Sequence, residues 1–325
     1  MEEIIGEVER KAIISELTEE HFLRNTTKGG NQLYLVNYHS APNITREVGR
    51  LREVAFRAAG GGTGKKIDLD DYDLSEHAYD QLIVWDPEDQ EIMAGYRLLK
   101  CRFGERDADG NLKSATSKLF NLSPRMIDEF LPLTLELGRS FVQPKYQRTA
   151  PRKGIFALDN LWDGLATVML QDPQLKYLFG KVTMYPKYQR EARNIILAFM
   201  RHFFPDPDEL VRPRVPLVQE EELSPYYPLF KGLAYKEAHK ILNAEVKKRG
   251  ENIPPLINSY MSLSSTMRSF GTAENGNFGT VEETGILITF DDIEPARKER
   301  YIKSFEANKH FKGPFHVPSS EQPSL

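Results

Sequence analysis

Leu135-Glu136-Leu137-Gly138-Arg139-Ser140-Phe141-Val142 reads as the inner part of a strand that begins near Leu133 and is closed by Pro144. Its apolar residues suit a sheet covered on both faces. Glu136 breaks that pattern, because a carboxylate inside an apolar strand is costly to bury unless it is paired or protonated. The bland account pairs it with Arg139 in a structural ion pair; the alternative gives both residues work to do. In a regular strand Glu136 shares a face with Gly138 and Ser140, while Arg139 points the other way. If both serve one cleft, the strand must bulge between them, and Gly138 is the residue best suited to that. Such a bulge would free amides around Ser140 and Phe141 to hold an oxyanion.

Working outward, Gln81–Trp85 and Glu91–Leu99 read as a hairpin turned at Pro87-Glu88-Asp89. Before it, Val48, Leu51, Val54, Ala55 and Ala58 give residues 45–59 a helical period, with Thr45 as the expected N-cap and Gly60-Gly61-Gly62 as the stop. A short strand is expected at Gln32–Asn37, an acidic loop at 68–73 and a short helix at Ser123–Phe130. After the central strand come a helix (156–171), a strand (177–184) and a helix (190–204). Pro205 to Tyr227 reads as a linker or long loop. Helices at 235–248 and 255–269, a strand at 281–290 and a basic helix at 295–305 complete the order. Helix, hairpin, strand, helix, strand, helix predicts an α/β fold: a mixed central sheet flanked by helices, with a C-terminal helical and strand extension. The expected division is an N-terminal segment (1–43), a core (44–210), an extension completing the cleft (211–312) and a flexible tail (313–325).

The 325 residues include 18 Phe and 14 Tyr, enough for a sizeable core and too many for a disordered chain. Lys plus Arg (43) against Asp plus Glu (47) leaves a net charge of −4, which gives no global attraction to nucleic acid. Cys101 is the only cysteine, so neither an intramolecular disulfide nor a Cys-rich zinc site is available, and the seven histidines show no metal-binding spacing. No metal site is expected. The acidic start, Met1-Glu2-Glu3, is unlike a signal peptide, and no apolar run is long enough to span a bilayer, so a cytoplasmic location is expected. Gly60-Gly61-Gly62-Thr63-Gly64-Lys65-Lys66 resembles a phosphate loop only superficially. Ala59 stands where the first glycine should be, Lys66 replaces the hydroxyl residue, and no strand precedes it. There is no Gly-x-Ser-x-Gly elbow.

Taken together, Leu51-Arg52-Glu53-Val54-Ala55-Phe56, Asp70-Asp71-Tyr72-Asp73, Gly95-Tyr96-Arg97-Leu98-Leu99 and the central strand resemble, in order and spacing, GNAT-fold acyltransferases that use long-chain acyl thioesters. The likeness is greatest to hemolysin-type bacterial N-acyltransferases that make ornithine or glycine lipids, and acyl-homoserine lactone synthases share a shorter form. The resemblance runs from about Val48 to Phe204, with a weaker part from Pro254 to Phe290. It implies Glu136 as proton acceptor, Arg139 and Ser140 beside it, and Arg52, Phe56, Asp71, Asp73, Arg97, Phe141 and Val142 around the substrates.

Acetyl-CoA users of this fold follow the central strand with Arg/Gln-x-x-Gly-x-Gly/Ala, which cradles pyrophosphate. Residues 143–154 lack that spacing, so the resemblance favours an acyl-phosphopantetheine thioester on acyl carrier protein over CoA. No permanent cofactor is implied. Carrier proteins are acidic, and Lys145, Arg148, Arg152 and Lys153 form the expected docking patch. The expected activity is transfer of a long acyl chain to the α-amine of an amino acid such as glycine or ornithine. The rivals are an acyl-homoserine-lactone-type synthase and a non-catalytic acyl-carrier or lipid-surface binding protein. Base and aromatics in Arg297–Lys312 suggest a peripheral membrane contact.

Overall fold

The computed structural model describes residues 1–147 and 152–306, the side chains of Arg152 and Lys153 excepted. The ten strands among these residues are β1 (Phe22–Asn25), β2 (Gln32–Val36), β3 (Asp80–Asp86), β4 (Glu91–Lys100), β5 (Phe120–Leu122), β6 (Thr134–Val142), β7 (Tyr177–Met184), β8 (Val211–Pro213), β9 (Arg268–Asn275) and β10 (Val281–Thr289). Eight of them form one sheet in the order β1-β2-β3-β4-β6-β7-β10-β9, and β5 pairs with β8 in a separate ribbon. All neighbours in the large sheet are antiparallel except β6 and β7. That parallel pair is joined by helix Ala157–Gln171, the kind of crossover that parallel strands require.

Helix Pro42–Ala59 covers one face, where Val48, Leu51 and Phe56 meet Ile83, Trp85 and Phe141. It begins three residues before the expected cap. Glu16 takes the place foreseen for Thr45, accepting from the amides of Asn43 (3.0 Å) and Ile44 (2.8 Å), so the N-terminal segment caps the first long helix. Gly60, at φ +96°, ends it. Helices Ala157–Gln171 and Arg190–Phe203 cover the other face, where Leu161, Leu165 and Ile196 pack with Leu82, Tyr96 and Leu137. A third apolar cluster, Leu99, Phe120, Phe179 and Phe270, lies below the ribbon.

Two expectations fail. Pro205–Tyr227 is a packed segment, not a linker: it contributes β8, and Leu210 and Val211 are buried. The helix expected to run to Ser269 stops at Met261, and the chain turns into β9. Ser262, Ser264 and Thr266 follow that stop, and their hydroxyls offer the backbone alternatives to helix, as when the Ser264 hydroxyl accepts from the Thr266 amide at 3.2 Å. The two outermost strand pairs, drawn from the N-terminal segment and the extension, thus lie in the same sheet as the hairpin.

Candidate active site

β6 and β7 are paired only from Thr134↔Tyr177 to Leu137↔Gly180. Beyond that point they part, and the wedge between them opens into a cleft of about 520 Å³. The size suits a substantial substrate. Gly138, Arg139, Ser140, Phe141 and Val142 form one wall, and Lys181, Thr183 and Tyr185 form the other. Towards the face carrying helix Ala157–Gln171 the lining is mostly apolar, from Ile155, Leu158, Leu256 and Tyr260. On the opposite face, Arg97, Arg139, Lys181 and Glu283 add charge beside Phe56 and Phe278.

The bulge foreseen in β6 is present, one residue further on. Arg97 pairs with Gly138 and Gly95 with Phe141, so Arg139 and Ser140 together face Tyr96. Arg139, not Gly138, carries the left-handed backbone, at φ +50°. A side chain at Gly138 would meet nothing within 4 Å, whereas one at Gly95 would come within 2.8 Å of the Phe141 ring. Arg139 and Phe141 consequently share the charged face, while Ser140 lies on the other side near the Tyr96 hydroxyl, itself 3.0 Å from that of Tyr260.

Arg139 is held from behind. Its Nε lies 2.9 Å from Asp68, its terminal nitrogen 3.9 Å from Asp70, and its guanidinium stacks 4.1 Å from the Phe278 ring centroid. Phe278 in turn meets Phe56 edge-on at 4.9 Å. Below, Arg52 bonds Asp73 at 2.7 Å and lies 3.3 Å from Asp68, and Arg97 bonds Asp70 at 2.7 Å and Asp73 at 3.0 Å. Burial would raise the Asp73 carboxyl, but Arg52 and Arg97 hold it far below the usual range. Asp70 also caps the turn Asp71–Leu74, which replaces the expected acidic loop. Asp71 itself is exposed and does not line the cleft; nor do Asp68 and Asp70, which brace Arg139 and Arg97 behind it.

Glu136 does not reach the cleft either. It is 2% exposed, and its Oε1 accepts from the Thr116 amide (3.0 Å) and hydroxyl (2.7 Å), behind the wall that Ala115 contributes. Glu136 and Arg139 do not form the ion pair of the bland account, nor do they serve one cleft: Arg139 belongs to Asp68 and Asp70. Lys145 is engaged with Glu91 at 2.5 Å and Asp89 at 3.8 Å. Of the other docking candidates, Arg148 and the side chains of Arg152 and Lys153 lie outside the described residues. The helix Pro295–Glu306 forms as expected, but Lys298, Arg300 and Lys303 pair with Asp291, Asp159 and Glu299, and Tyr301 is buried. Lys309, Phe311, Lys312 and the tail 313–325 lie outside the described residues.

The glycine-rich loop is already filled by the protein itself. The buried Glu53 carboxylate accepts from the amides of Thr63 (3.0 Å) and Gly64 (2.8 Å), the Thr63 hydroxyl and Arg57. Burial alone would raise this carboxyl; those bonds bring it below its ordinary range.

Sequence reading missed the far wall. Lys181 is the one charge within the apolar strand β7, the same signal that singled out Glu136, whereas Glu283 sits beside Glu282 at the start of β10 and carries no such signal. Among the described residues no cluster of His, Cys, Asp and Glu suits a metal ion, and no helix is long and apolar enough to cross a membrane.

Residues 51–155 match the acetyltransferase (GNAT) domain family. A glycine N(alpha)-acyltransferase of Bacteroides thetaiotaomicron is 53% identical over 306 residues, covering 94% of this chain and 91% of that relative. Another, from Phocaeicola vulgatus, is 51% identical over 306 residues and 94% of each chain. Among solved structures, a CoA-dependent acyl-homoserine lactone synthase, BjaI, aligns over 88% of this chain and 95% of that one, at 12% identity and a TM-score of 0.40. That likeness is too distant to bear on chemistry.

Proposed function

This chain belongs to the glycine N(alpha)-acyltransferase family of GNAT-type N-acyltransferases, and we propose that it transfers a long acyl chain from a phosphopantetheine thioester to the α-amine of glycine. The wedge between β6 and β7 is the observation that carries this reading. A thioester threaded between the parted strands sets its carbonyl against the bulge at Arg139 and Ser140. There the slipped register leaves strand amides without ladder partners to meet the developing oxyanion. The apolar side, with Ile155, Leu158 and Leu256, suits the hydrocarbon and the arm; the charged side suits a zwitterionic acceptor. Arg139, fixed by Asp68, Asp70 and Phe278, is oriented to hold the acceptor's carboxylate.

The assignments of Phe56, Arg97, Phe141 and Val142 to the substrate surface rest on their lining the same cleft, whereas Arg52 and Asp73 act beneath it by fixing Arg97 and Arg139 through shared carboxylates. Glu136 is better read as a positioning residue: it anchors Thr116, and the neighbouring Ala115 carbonyl accepts from Lys181 at 3.2 Å. Acyl carrier protein is the donor we favour, because residues 143–154 lack the glycine spacing of a pyrophosphate cradle. Peripheral membrane contact through helix Pro295–Glu306 draws less support, since Lys298, Arg300 and Lys303 have acidic partners within the chain.

Purified protein incubated with palmitoyl-acyl carrier protein and glycine, followed by mass spectrometry, should yield N-palmitoylglycine. Palmitoyl-CoA in place of the carrier thioester should give a far lower kcat/KM. Absence of product with both donors overturns the reading, and equal use of both removes the carrier preference.

A further inference from the structure

Among the described residues, Glu283 is the one carboxylate lining the cleft. Its side chain is 6% exposed, on β10, where its backbone pairs with Thr183 of the cleft's far wall. Asn275 donates to its Oε2 at 3.1 Å, and the Lys181 ammonium lies 3.8 Å from the same oxygen. Such a contact is electrostatic, too long for a hydrogen bond. Lys181 spends a donor on the Ala115 carbonyl instead. The carboxylate is thus oriented from behind, with its nearest cation held off at electrostatic range. Its charge is felt at the cleft surface: burial, and then Glu283, push the Tyr185 hydroxyl up to about 12. Glu136, by contrast, does not line the cleft, and Thr116 engages its Oε1 behind the wall.

We propose that Glu283 is the general base of the acyl transfer, with Lys181 joining Arg139 in holding the acceptor's carboxylate; the assignment rests on the functional reading above. The α-ammonium of the acceptor gives one proton to Glu283, and the freed amine attacks the thioester carbonyl carbon. The C–N bond forms as the carbonyl π pair moves to oxygen, and the resulting tetrahedral oxyanion re-forms C=O as the C–S bond breaks. The second proton leaves nitrogen for the departing thiolate, and Glu283 returns its own to water. A carboxylate suits the first step because it attracts the ammonium before it deprotonates it.

The test uses the full chain and two acceptors: glycine, and hydroxylamine, which is unprotonated at neutral pH and needs no base. Glu283→Gln keeps an oxygen for Asn275. It should lose on the order of 10²-fold in kcat with glycine, and much less with hydroxylamine. Glu283→Asp, a second variant should the first not fold, should give an intermediate glycine rate with the same relief by hydroxylamine. Parental rates with glycine, or equal deficits with both acceptors, overturn the assignment alone. A parent protein that acylates neither acceptor overturns it together with the functional reading.

Discussion

The two walls of the cleft spend charge differently. Behind β6, Arg52, Arg97 and Arg139 share Asp68, Asp70 and Asp73 in contacts mostly of 2.7–3.3 Å, and only Arg139 keeps appreciable exposure among the three cations, 17% of its side chain. Across the wedge, Lys181 and Glu283 stand 3.8 Å apart with uncharged second partners. A closed network of that kind fixes position at the cost of desolvation, and each member is indispensable to the others. A pair at 3.8 Å makes no hydrogen bond between its two charges, so each can turn to a ligand in the cleft they line. The difference suggests that the first wall is architecture with one working tip, and the second is chemistry.

The sharpest way to break this contrast is to remove a cation from each wall. Arg52→Ala strands two buried carboxylates, Asp68 and Asp73, and should cost about 3–5 kcal/mol in urea denaturation, while Lys181→Met strands only Glu283, which keeps its bond from Asn275, and should cost clearly less. Lys181→Met should instead raise KM for glycine on the order of tenfold or more, through a lost charge-assisted contact. Equal stability losses would erase the distinction.

Gly138→Leu probes the wedge without touching either network. Its side chain would enter the open cleft, since a Cβ at this position would have no neighbour within 4 Å. Donor kcat/KM should fall at least about tenfold from steric exclusion, with the denaturation midpoint almost unchanged. Acid gives a subtler separation. Asp73 is depressed in the folded state, where the upward push of burial is overcome by Arg52 and Arg97. Its contribution is therefore present above the unfolded carboxylate range near pH 4 and is lost as pH falls below it towards the lower folded value. Denaturation followed from pH 6 to pH 2 should show that loss in the parent and a smaller one in Asp73→Asn. The least effect is expected of Glu136→Gln, which retains an acceptor for both Thr116 bonds: less than about a tenfold change in kcat. A larger loss would return Glu136 to the chemistry.

The sequence made the sheet's middle legible because β3, β4, β6 and β7 carry long apolar runs, and a turn or crossover helix separates them. It hid β9, whose serine-rich approach and Gly271 at φ +85° break any period, and β1, which is four residues long. At the site, a bulge was expected only on the condition that Glu136 and Arg139 serve one cleft; the bulge is there although Glu136 stays out of the cleft, and alternation could not say that Arg139 would take the left-handed turn and be fixed by Asp68 and Phe278. Nor could it place Glu136. A charge in an apolar strand announces that a partner exists; whether that partner is Thr116 behind a wall or a substrate in front of it depends on chain 20 residues away. The acetyltransferase match ends at residue 155, before Lys181 and Glu283, and although the sequence resemblance reached both, none of its matched residues lay on the far wall.

β7 meets β6 over four residue pairs and β10 over eight, so the far wall of the wedge is held chiefly from downstream. Those partners are about a hundred residues apart in the chain. At synthesis rates of roughly 5–20 residues per second, the interval between β7 and β10 leaving the ribosome is on the order of 5–20 s. Throughout it one edge of β7 is an open template for any strand that passes. Closing so long a loop is also slow once the chain is free. The far wall of the cleft therefore cannot be completed until β10 has emerged, and substitutions that weaken β10 should reduce yield of folded protein before they reduce the activity of each folded copy.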